Sequence, residues 1–63
     1  MDHEEQLEKM IDSIGLEKVL EMLSAICAEK AEHVRSNWQD VTLARAWERN
    51  AKAIDKALPY IEG

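Results

Sequence analysis

The sequence predicts an all-α protein: a short N-terminal helix followed by an antiparallel helical hairpin, assembling into a helical bundle by oligomerisation. Three observations lead there. Ala, Leu, Glu and Lys are abundant, Phe is absent, and Gly15, Gly63 and Pro59 are the only strong helix breakers. Apolar residues recur at helical spacing over three stretches, with a short polar interruption between the second and the third. Finally, residues 1–63 make one small domain, of a size that buries only about 60% of its unfolded surface and needs a staple or a partner. A lone Cys27 cannot close an internal disulfide, and no Cys/His cluster has structural zinc spacing, which leaves association.

The first helix is expected over about residues 2–14, where Leu7, Met10, Ile11 and Ile14 share a face. Asp2 is its N-cap, and Glu4 and Glu5 lie at the positive end of the helix dipole. Gly15 is its stop, although Ser13 could instead cap the next helix. A helix this short is marginal in isolation, so its apolar stripe must dock on something.

The second helix is expected over about residues 16–35, with Leu16, Leu20, Leu23, Cys27 and Val34 along a seam spaced 4, 3, 4 and 7, which is bundle-like. Val19, Ile26 and the alanines widen that seam. Ser36-Asn37-Trp38-Gln39-Asp40 then reads as the fold-back point, on Ser, Asn and Asp turn chemistry. A single helix over 16–58 in a long coiled coil is the rival reading, because this break holds neither Gly nor Pro.

The third helix is expected over about residues 40–58, capped by Asp40, with a Ser36/Gln39 capping box as the earlier alternative. It ends before Pro59, which disfavours helical geometry in the residue preceding it. Leu43, Ala44, Trp47, Ala51, Ile54 and Leu58 form its inner face, and Tyr60–Gly63 is a tail. In the assembled bundle the expected interface comprises Leu16, Leu20, Leu23, Cys27, Trp47, Ile54 and Leu58.

The net charge of −5 is unevenly placed: residues 1–15 sum to −4, 16–36 to −1 and 37–63 to zero. An acidic balance argues against general nucleic-acid binding, which wants a cationic surface to displace counterions from phosphates. The longest uncharged run, Met22–Ala28, is far too short for a bilayer core of about 30 Å. The acidic start also lacks the basic region and apolar core of a signal peptide. The expected location is cytoplasmic, without membrane contact.

Arg45, Arg49, Lys52 and Lys56, spaced 4, 3 and 4, place four cations in one row on the third helix, while Glu5, Glu8 and Asp12 form an acidic row on the first. These rows either pair, within a chain or between neighbours, or the cations serve a ligand. In the ligand reading Arg35, Arg45, Arg49, Lys52 and Trp38 hold an anion such as a nucleotide, because guanidinium offers forked contacts to phosphate. Trp38 either closes the fold-back end by packing on Val34 and Val41 or anchors a protein partner; Trp47 is expected in the core. Cys27 lies on the apolar seam with no His or Lys placed to activate it.

Glu29 and His33, four apart with Glu32 adjacent, are metal-compatible, but the residue three before His33 is Lys30, and the third helix supplies no second set. Glu4-Glu5 and Glu29/Glu32 also invite comparison with MazG-type nucleotide pyrophosphohydrolases. That magnesium site needs facing acids, where this chain has a cationic helix. A metal-dependent nucleotide hydrolase is therefore the third reading. No cofactor, metal or catalytic residue is expected, and the chain is read as a non-enzyme that acts by non-covalent binding.

In architecture the chain resembles small helical-hairpin dimers of the plasmid-copy-number RNA-binding kind, although no sequence motif is shared. Leu43-Ala44, Glu48 and Lys52-Ala53-Ile54 are similar to a pattern in phage-encoded helical-hairpin sponges that sequester cyclic nucleotides. That resemblance implies a small anionic ligand and a phage origin. The principal expectation is a small interaction or regulatory protein acting as a homo-oligomer, dimer or higher, with a possible protein partner.

Overall fold

The computed structural model describes residues 2–63, which form three α-helices and, among the described residues, no strand. Helix α1 spans His3–Ile14, α2 spans Leu16–His33 and α3 spans Val41–Ala57. A π-helical turn, Val34–Trp38, continues α2, and a 3₁₀ turn, Leu58–Tyr60, continues α3.

All the helix ends but the last are set by a specific group. The Asp2 carboxylate accepts from the Glu5 backbone N–H at 2.7 Å, which caps α1. At Gly15 the chain takes φ +90°, a conformation that L side chains rarely adopt, and its N–H donates to the Ile11 carbonyl at 2.8 Å. Gly15 has no side chain with which to cap α2. The Gly63 carbonyl does so instead, accepting from the Glu17 N–H at 2.9 Å. The tail thus returns to the start of α2. Ser13 does not cap α2, whose N-cap is Gly15.

The fold-back segment differs from the sequence expectation. Ser36, Asn37 and Trp38 belong to the π turn, and the interruption shrinks to Gln39 and Asp40. Nothing in Val34–Trp38 stops helical winding, and its polar side chains support it. Asn37 Nδ2 donates to the His33 carbonyl at 3.0 Å, and Ser36 Oγ donates to Glu32 Oε1 at 3.2 Å. Gln39 then adopts the left-handed conformation, φ 54° and ψ 30°, which ends the winding. Asp40 caps α3 by accepting from the Leu43 N–H at 3.0 Å. The left-handed residue rules out a single helix over 16–58.

Along α2, Glu17 meets Gly63, Ser24 meets Asp55 and Ala51, and Lys30 meets Trp47, in descending order along the later chain, while Arg35 of the π turn meets Glu48. Val19, Ala31, Val34, Ala44 and Ala51 are the buried apolar residues, and Ser24 is the buried polar one. Among the described residues no large side chain is fully buried. The core is a close approach of two helices through small residues.

The molecule is thin. Its principal extents are 37 × 31 × 13 Å and its radius of gyration is 13.5 Å, against about 11 Å for a compact domain of this length. Helix α1 leans on α2 and makes no comparable contact with α3, so Leu7, Met10 and Ile14 stay exposed.

Candidate functional site

Successive helical residues turn by about 100°, which divides the α2–α3 pair into two flanks on either side of the buried ridge of Ala44 and Ala51. One flank carries Leu43, Trp47 and Ile54 from α3, with Leu23 and Ile26 from α2. The opposite flank carries Glu48, Asp55 and the Arg45/Lys52 row. The contacts agree with this division. Lys30 Nζ stands 5.6 Å from the Trp47 ring centroid on the apolar flank, while Arg35–Glu48 and Ser24–Asp55 close across the helices on the polar one.

The apolar flank is open. Leu23, Ile26 and Leu43, with Met22 and the α1 residues Leu7, Met10 and Ile14, are each 38–46% exposed. Trp47 and Ile54 are half-buried. The expected interface set therefore divides by position. Leu16, Leu20, Cys27 and Leu58 lie half-buried in or beside the α2–α3 seam, whereas Leu23, Trp47 and Ile54 lie on the open flank. Trp47, expected in the core, is at its margin.

On the polar flank Ser24 Oγ sits 2.5 Å from Asp55 Oδ1, to which it donates, and 3.3 Å from the Ala51 carbonyl. This buried link between α2 and α3 was not anticipated. Its signal was present: Ser24 lies four residues after Leu20 and three before Cys27, so a small polar group stands within the seam. Arg35 reaches across to Glu48 and also lies 3.9 Å from Glu32 in the last turn of α2. The cross-helix pair ties Arg35 to the margin of the α3 cation row.

Arg45, Arg49, Lys52 and Lys56 are exposed and, among the described residues, make no ion pair. The acidic row Glu5, Glu8 and Asp12 likewise has no ion pair there. Of the two readings of Trp38, closure of the fold-back end by burial does not fit its 73% exposure. The π turn places it last before the left-handed Gln39, beyond the end of the α2–α3 contact. The five residues of the ligand reading are not gathered into a cavity, as the described residues form no pocket.

Glu29 and His33 are exposed, and His33 Nδ1 lies 3.0 Å from Asn37 Nδ2. The described residues bring no three His, Cys, Asp or Glu side chains together as a metal set. Among the described residues no helix is long and apolar enough to cross a membrane. No family model, curated protein or solved structure matches this chain.

Proposed function

We propose that this chain is the subunit of a homo-oligomeric helical bundle and acts by non-covalent binding as a small interaction or regulatory protein. In this reading α2 and α3 form an antiparallel hairpin, and the flank bearing Leu23, Ile26, Leu43, Trp47 and Ile54 packs on the same flank of a second copy. One observation carries it: a folded chain whose described core is two valines, three alanines and a serine leaves its leucines, isoleucines and methionines half in water. Burying a fully exposed leucine-sized side chain contributes about 1.5–3 kcal/mol, and one already half-buried gains the remaining part of that. Five such residues on each of two copies supply a core that one layer of helices lacks.

Sedimentation equilibrium or light scattering at micromolar concentration is the test. The expected outcome is a dimer or higher species, and Leu23→Asp with Ile26→Asp reduces it to monomer. A wild-type chain that stays monomeric while folding cooperatively sinks the proposal.

A second reading is supported by the four α3 cations that lack ion pairs among the described residues: an anionic ligand, a nucleotide or cyclic nucleotide, held by Arg45 and Arg49 with Arg35 and Lys52. A ligand at 100 times its Kd adds about 2.7 kcal/mol of stability. A thermal-shift panel in which no nucleotide raises the melting temperature removes this reading.

A further inference from the structure

We infer that α1 docks in trans, laying its apolar stripe and acidic row on α3 of a second copy. This inference rests on the homo-oligomer reading and specifies which elements build part of the contact. Four observations converge on it. Helix α1 has 12 residues, at the length of about 12–15 below which an isolated helix is only marginal in water. Within its own chain it leans only on α2, which leaves Leu7, Met10 and Ile14 uncovered.

The local charges disfavour a longer contact with α2. That helix carries Glu17, Glu21, Glu29 and Glu32 against Lys18 and Lys30, and α1 with its cap carries five acids against Lys9. Helix α3 is the opposite case. Its Arg45, Arg49, Lys52 and Lys56 have no ion pair among the described residues, and two acids, Glu48 and Asp55, are all that offset them within the helix.

The spacing also matches. On α1, Glu4, Glu8 and Asp12 border the Leu7/Ile11/Ile14 stripe along one edge. On α3, Ala46 and Ala53 lie on the side turned away from α2, between Leu43 at the edge of the open flank and Arg49 and Lys56 on the other edge. An apolar stripe with an acidic edge thus faces an apolar strip with a basic edge. Each separate ion pair is weak when exposed; rows that pair around a dry apolar contact act together and set its orientation.

The test uses two full-length variants. One is acid-reversed, Glu4→Lys/Glu8→Lys/Asp12→Lys; the other is base-reversed, Arg49→Glu/Lys56→Glu. Each alone repels its own copies, and its self-association Kd is expected to rise at least tenfold in sedimentation velocity. Mixed at equal concentration, each α1 meets an α3 of opposite sign, and heteromeric assembly returns toward the wild-type Kd. Circular dichroism of each variant reports its folding, and the mixture keeps the test decisive if one variant alone is poorly helical.

Reversed variants that associate as tightly as wild type, or a mixture no tighter than its components, overturn the inference. If Leu23→Asp/Ile26→Asp abolishes assembly while acid reversal does not, the oligomer reading survives and trans docking falls. A monomeric wild type removes both.

Discussion

Two residues show how little material holds this chain together. Ser24 is a buried hydroxyl at a helix crossing, and its donation to Asp55 ties the middle of α2 to the last turns of α3. Ser24→Ala removes a hydrogen bond to a charged acceptor while preserving the close approach, so a loss of about 1 kcal/mol is expected, read as a lowered urea midpoint with unchanged slope. Gly15 is the other. A Cβ there would stand 2.9 Å from the Gly63 carbonyl oxygen, on a backbone with φ +90°. Gly15→Ala is expected to cost about 1–3 kcal/mol and to loosen the Gly63 carbonyl that caps α2. If Gly15→Ala melts with the wild type, the tail does not hold the start of α2.

Among the elements, α1 and α3 were legible because their apolar spacing and their Asp caps point the same way. Asp2 and Asp40 each accept from the N–H three residues on, as the sequence suggested. The segment between α2 and α3 was misread for a physical reason: Ser and Asn side chains satisfy backbone groups equally well in a loop and in a helical turn. Composition therefore did not separate the two. What decided it was Gln39 in the left-handed region, and glutamine carries no signal for that conformation. The burial reading of Trp38 followed the same error, since it depended on where the chain turned. The sites fared similarly. The cation row could be read from spacing alone, but the cross-helix pair of Arg35 with Glu48 depends on the register between helices. Because both partners are substantially exposed, a double-mutant cycle on Arg35→Ala and Glu48→Ala is expected to give a coupling of about 0.2–1 kcal/mol. A value several times larger would mean the pair is shielded in the assembled protein.

For the molecule as a whole, stability and association should be inseparable. If the open flank is covered by another copy, the melting temperature rises with protein concentration; a temperature constant over a hundredfold dilution would contradict this. Charge pairing between copies adds a salt dependence, because screening shortens from about 10 Å at 0.1 M to about 3 Å at 1 M. Trp47 and Trp38 separate the signals. In a Trp38→Phe chain, Trp47 on the apolar flank should shift its emission to the blue on assembly, whereas Trp38 in a Trp47→Phe chain should not. The 13 Å thickness has one more consequence. In a body one layer deep no amide lies far from solvent, so a lone chain exchanges its hydrogens through fraying and local opening along its whole length. Protection that grows with concentration arises only where something else has come to lie against it. A protection map recorded at low and high concentration would therefore trace the outline of the neighbouring molecule on this one, residue by residue.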